Sequence, residues 1–189
     1  LNINLMYDKF SNMNNVLKRL LIVGVLLSFG TIAFSSDLYT NKKYNYSIKG
    51  LPDWHMDTSQ KGVSVAFDNV DGVSSVQVRV YLMPEIPTAD GLAETMAQSK
   101  YDGWINLGGE FGDEDDIFVT GADAKYQAVH KKTVLEEKGR KTTTIVAESY
   151  YVKGQTAYIV SMVTTEYMVE EKIASLKQIA NSFYIDENL

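Results

Sequence analysis

The chain has 189 residues, with 18 Lys+Arg against 24 Asp+Glu and a net charge of −6 at neutral pH. That acidic balance excludes a dedicated nucleic-acid binder, which needs a basic footprint. The sequence holds no cysteine, so disulfides and lipid attachment through a lipobox cysteine are excluded and the fold must rest on its core.

The first element is an address. Lys18 and Arg19 precede the apolar run from Leu20 to Phe34, and the small residues Ala33 and Ser35 follow at the −3 and −1 spacing of a cleavage site. This is the layout of a secretory signal peptide, with the cut expected after Ser35 and Ala33 as second choice. The alternative is an uncleaved anchor, for which a run below roughly 18 apolar residues is short. Met13 reads as the start and residues 1–12 as an over-extended reading frame. Residues 13–35 then form the signal peptide and residues 36–189 a single domain by size. Without Lys9, Lys18, Arg19 and Asp8 that domain keeps 15 Lys+Arg and 23 Asp+Glu, a net charge of −8. A domain of about 150 residues buries roughly 68–70% of its unfolded surface, enough for a core without staples.

Alternation begins directly afterwards. Tyr44, Tyr46 and Ile48 face one way and Asn45, Ser47 and Lys49 the other, the period of a half-buried strand. Leu51-Pro52-Asp53-Trp54 breaks it, because Pro52 lacks a ladder donor. Val63, Val65 and Phe67 mark a second strand ending in the turn residues Asp68-Asn69-Val70-Asp71-Gly72. Val76, Val78, Val80 and Leu82 then face in while Gln77 and Arg79 face out.

Pro84 and Pro87 close that strand, and Thr88 is a good N-cap with Asp90 in the first turn. Ala93, Met96, Ala97 and Trp104 line a helical face expected to end near Gly108-Gly109. An acidic loop leads to a further strand at Ile117-Phe118-Val119. A long meander follows, Ala124–Val134 and Thr142–Val152 around a turn at Glu137–Arg140, then Thr156–Thr164 after Lys153-Gly154-Gln155. Tyr158/Val160/Met162 and Ile159/Ser161/Val163 make this last strand largely apolar on both sides, so both of its faces are covered. Val169, Ile173, Leu176, Ala180 and Phe183 recur at helical spacing, capped from Thr165. The sum is an α+β fold: a mostly antiparallel sheet of about six or seven strands flanked by helices, an α/β/α sandwich.

Tyr44-Asn45-Tyr46-Ser47-Ile48 leading into Leu51-Pro52-Asp53-Trp54 resembles the opening strand and Pro-x-Trp corner of the PsbP-like family. Tyr150 through Tyr158 and the terminal helix closing on Ser182-Phe183 fit the same pattern. The resemblance spans roughly Tyr39 to Ile185. It implies the antiparallel sheet between helices shared with photosystem II PsbP, a nuclear Ran-binding protein and the bacterial lipoprotein DcrB. It also implies a non-enzymatic module that binds or assembles, with no particular partner and no catalytic residue carried over.

Four groups of residues are candidate sites. Glu110, Asp113, Glu114, Asp115 and Asp116 could hold Ca²⁺, with Gly109 and Gly112 letting the loop fold around it, but the spacing is not that of an EF-hand and a solvated acidic loop is the competing reading. The Asp68, Asp71, Gly72 turn is a weaker version of the same idea. Lys131, Lys132, Lys138, Arg140 and Lys141 would make a basic hairpin tip for an acidic partner or anionic lipid headgroups. Lysines at strand ends also block edge-to-edge aggregation. Trp54, Trp104 and Tyr158 could line a cleft for a small apolar ligand or a sugar, against cross-strand packing as the alternative.

His55 and His130 are the two histidines and without cysteine make no zinc set. No Gly-x-Ser-x-Gly elbow presents a nucleophile, and the glycines at 103, 108 and 109 lack a phosphate-loop pattern. The expectation is a secreted or periplasmic, non-enzymatic binding or assembly module. It would act on an envelope or secreted protein partner without a cofactor, with membrane-surface contact open and no transmembrane segment after cleavage. A carrier or sensor of a small ligand or Ca²⁺ is the alternative.

Overall fold

Strand alternation and turn residues build two sheets in the computed structural model, which describes residues 37–109, 126–135 and 141–186. The elements in chain order are β1 (Leu38–Asn41), β2 (Tyr46–Lys49), β3 (Trp54–Asp57), β4 (Val65–Asn69), β5 (Ser75–Leu82), α1 (Ala89–Ser99), β6 (Ile105–Gly109), β7 (Tyr126–Leu135), β8 (Lys141–Lys153), β9 (Thr156–Thr165), a 3-10 turn (Glu166–Met168), α2 (Val169–Asn181) and β10 (Tyr184–Ile185). The larger sheet has seven strands in the order β3-β4-β5-β9-β8-β7-β6, each pair antiparallel. The smaller sheet is β1-β2-β10, also antiparallel.

The two apolar sides of β9 explain the layers. Tyr158, Val160 and Met162 pack with Leu176, Ile179 and Ala180 of α2 and with Tyr46 and Ile48 of β2. Ala157 and Ile159 project from the opposite face, against Ala89, Leu92 and Ala93 of α1. Each helix therefore covers its own face of the larger sheet, the arrangement that a doubly apolar strand demands. Among the described residues no helix is long and apolar enough to cross a membrane. The run Leu20–Phe34 lies outside them, as do Ile117–Val119 and the turn Glu137–Arg140.

Several expectations need correction. The opening strand belongs to the separate three-stranded sheet, where β2 pairs with both β1 and β10. The Pro52 corner does not end pairing for long: Trp54–Asp57 re-enter as β3 against β4. The first helix stops at Ser99, well short of Gly108. The Lys100 and Tyr101 amides both return to the Met96 carbonyl, at 2.9 and 3.3 Å, and Gly103 takes φ 75°. A left-handed residue cannot continue an α-helix and glycine adopts it without a Cβ penalty. Trp104 thus lies beyond the helix, and β6 begins at Ile105. Thr165 makes no side-chain cap bond, because a 3-10 turn intervenes before α2. Thr88 does cap α1, its Oγ1 accepting from Gly91 N at 3.3 Å. Leu82 is exposed rather than inward, since β5 ends there.

Candidate functional site

The register of the meander makes its central hairpin project. β9 pairs with β8 as far as Thr165↔Thr144, and β6 pairs with β7 from Ile105↔Lys131. β7 and β8 continue past both neighbours through Thr133↔Thr143, Val134↔Thr142 and Leu135↔Lys141. At about 3.4 Å per residue those pairs extend the ribbon by about 10 Å beyond the sheet. Of the basic candidates, Lys132 and Lys141 are exposed, and Lys132 Nζ sits 5.7 Å from the Trp104 ring centroid. Trp104 in turn meets Tyr101 edge to face at 5.3 Å. Lys131 is placed in β7 opposite Ile145, at the base of the projection. Lys138 and Arg140 lie outside the described residues.

Trp54, Trp104 and Tyr158 are not brought together. Trp54 is buried at the β3 edge, at the end of the sheet where β4 turns into β5. Trp104 belongs to the α1 face. Tyr158 belongs to the α2 face at the far end of β9, where its hydroxyl donates to the Tyr44 carbonyl at 2.8 Å. Glu110, Asp113, Glu114, Asp115 and Asp116 lie outside the described residues. Among the described residues no cluster of three His, Asp or Glu forms a metal-binding group. Asp71 is engaged as a turn residue, accepting from the Val73 and Ser74 amides at 2.9 and 2.8 Å. His55 is exposed on β3.

The sequence reading missed a polar centre on the α1 face. Glu148 of β8 is 2% exposed. Its Oε1 accepts from Tyr101 at 2.7 Å and from Ser161 at 2.9 Å, and its Oε2 accepts from Tyr150 at 2.5 Å. Lys100 Nζ lies 3.7 Å and Arg79 Nη1 3.9 Å from Oε1. Arg79 also donates to Ser161 at 2.9 Å. Burial pushes the Tyr101 and Tyr150 hydroxyls far up from their ordinary range, and the Glu148 charge adds to it. Burial pulls Lys100 down, with Glu148 opposing. Both tyrosines thus stay protonated as donors to the acid. A buried carboxylate held by charge-assisted bonds is a fastener between α1 and the sheet. One signal could have found it: a lone acid in the otherwise uncharged run Ile145–Val152 of an internal strand.

A third feature is an open depression of about 290 Å³, lined by Lys43, Tyr44, Asn45, Leu82, Lys153, Thr156 and Tyr158.

No protein-family model matches the chain, and no curated protein sequence does. Solved structures do. The chain is similar to cyanobacterial PsbP (CyanoP) from Synechocystis sp. PCC 6803, at 14% identity and TM-score 0.49, over 82% of this chain and 95% of that one. It is similar to LpqN, involved in cell envelope biogenesis of Mycobacterium tuberculosis, at 8% identity and TM-score 0.49, over 80% and 91%. It is similar to the Saccharomyces cerevisiae Ran-binding protein Mog1p at 10% identity and TM-score 0.43, over 80% and 95%. With identities of 8–14% and TM-scores below 0.5, the likeness is one of fold alone and assigns no family, partner or role.

Proposed function

We propose that this protein is an exported, non-enzymatic binding module that engages a partner protein at the cell envelope through the β7–β8 hairpin. The observation that carries the reading is the projection itself. Two strands that run three register pairs past their neighbours form a ribbon with no further strand beside it among the described residues. A two-stranded ribbon alone is marginally stable, so such an extension is a natural contact element. Lys141 lies in the projecting pairs and Lys131 and Lys132 at their base, and Lys138 and Arg140 are near them in the sequence, on a chain whose net charge is −6. An acidic patch on the partner would complement that tip, steer the encounter and make it sensitive to salt.

The test is in-cell crosslinking of C-terminally tagged protein, followed by mass spectrometry of wild type and of Lys132→Glu/Lys141→Glu. Both positions are exposed. One recurring envelope protein, captured by wild type and lost in the double variant, supports the reading. Equal capture by the variant, or a clean monomer throughout, sinks it.

A further inference from the structure

Lys43 and Lys153 come from opposite ends of the chain yet share one depression. The β1–β2 turn supplies Lys43, Tyr44 and Asn45, the end of β5 supplies Leu82, and the β8–β9 hairpin supplies Lys153, Thr156 and Tyr158. Of the described residues lining it, two are cationic and none is acidic, on a chain with an acidic surplus. Tyr44, Tyr158 and the exposed Leu82 provide the apolar surface.

The walls are tied to one another. Asn41 Oδ1 accepts from the Lys43 and Tyr44 amides, each at 3.1 Å, which fixes the turn. Tyr158 donates to the Tyr44 carbonyl, and the Asp186 amide donates to the Asn45 carbonyl at 2.8 Å. Lys153 Nζ donates to the Asp186 carbonyl at 3.3 Å, using one of its three protons. On the other wall, the Met83 amide donates to the Gln155 carbonyl at 2.8 Å, and Gln155 Nε2 donates to the Pro84 carbonyl at 2.6 Å. Asn45 is held at φ 48°, left-handed backbone that asparagine tolerates better than most residues. Three segments remote in sequence are therefore pre-set around a concave surface before any ligand arrives. Pre-organisation of this kind lowers the ordering entropy that binding costs.

We infer that this depression is a binding site for a small organic anion, its carboxylate between the Lys43 and Lys153 ammonium groups and its apolar body against Leu82 and the Tyr44 and Tyr158 side. The volume of about 290 Å³ falls just below the usual range for ligand pockets, matched to one ring or a short chain. The site lies at the end of β9 opposite the projecting hairpin, and it stands whether or not the hairpin binds a partner.

Amide NMR of the ¹⁵N-labelled full chain, titrated with phenylacetate, phenylacetamide and inorganic phosphate, tests it. The expected result is saturable movement of the 43–45, 82 and 153–158 amides by phenylacetate, with a Kd of about 1 mM or tighter. Phenylacetamide and phosphate should bind several-fold more weakly, since each lacks one half of the recognition. Lys43→Gln/Lys153→Gln should lose the phenylacetate effect. Leu82→Glu, at an exposed position, should lose it while keeping the dispersed spectrum of the fold. Equal binding of acid and amide, phosphate binding as well as phenylacetate, shifts elsewhere, or double-variant binding at wild-type strength would each overturn the assignment.

Discussion

The Tyr101 hydroxyl donates to Glu148 Oε1 at 2.7 Å, joining the segment after α1 to the middle of β8. Tyr150 and Ser161 donate to the same carboxylate from β8 and β9, and Lys100 and Arg79 supply positive charge at its rim. A buried acid is tolerated because these groups replace the water it lost.

Glu148→Ala should destabilise the fold by about 3–5 kcal/mol, because it leaves the buried Tyr101 and Tyr150 hydroxyls without their acceptor and removes the charge that Arg79 and Lys100 face. Tyr101→Phe removes one bond to a charged group and should cost about 1.5–3 kcal/mol. Urea unfolding of the three proteins checks both values and their order. A Glu148→Ala protein as stable as wild type would show that the carboxylate is not a fastener.

Tyr46, Tyr101 and Tyr150 are all held above their ordinary value of 10.0, in each case first by burial. A group whose pKa is raised in the fold contributes stability that is complete below its unfolded value and is lost as pH climbs above it. Here the unfolded tyrosines ionise near pH 10 while the folded ones remain protonated. Stability should therefore fall from about pH 10 upward, by up to about 1.4 kcal/mol per pH unit for each group. Urea midpoints measured up to pH 11 should show the decline, and Tyr150→Phe should make it shallower. A flat profile contradicts the assignment.

Gly50 is buried, and a Cβ there would lie 2.5 Å from the Phe67 ring, itself fully buried. Gly50→Ala should cost about 1–3 kcal/mol by overpacking, with Phe67→Leu as a second-site change that restores part of it. A thermal melt of the single and double variants decides this.

Calcium should leave the melting temperature unchanged. A Ca²⁺-dependent rise that vanishes in Asp113→Asn/Asp115→Asn would instead assign Glu110–Asp116 as an ion site and favour a carrier or sensor.

Segments in which apolar residues recur at a clear period are legible in the sequence, four-residue β2 included, and those without one are not. The pattern of β9, apolar on alternate and intervening positions alike, told that helices cover both faces, and Thr88 marked the start of α1. β1, β3, β6 and β10, of two to five residues each, carry no run of alternating apolar residues that stands out from their flanks. Asp102-Gly103 was a turn signal within the first helical pattern, masked because Trp104 falls at helical spacing. Alternation with Val78 and Val80 puts Arg79 on the outward side, which is right about the side and wrong about the setting: that side faces Ser161 and Glu148. Tyr158 is a candidate in the sequence, but Lys43 and Lys153, which line the same depression, lie 110 positions apart in the chain. Only the folded register brings those two together, so no local pattern could show them.

The smaller sheet closes over a long loop. Ser182 Oγ accepts from the Lys49 amide at 2.8 Å, and Tyr184–Ile185 complete the pairing of β2. β2 carries Tyr46 and Ile48, both fully buried in the core shared with α2. A nascent chain therefore holds those two side chains without their final cover until residues 182–185 have left the ribosome. Long-range closure of this kind is slow. Until β10 has been made, the core around Tyr46 and Ile48 stays open on that side.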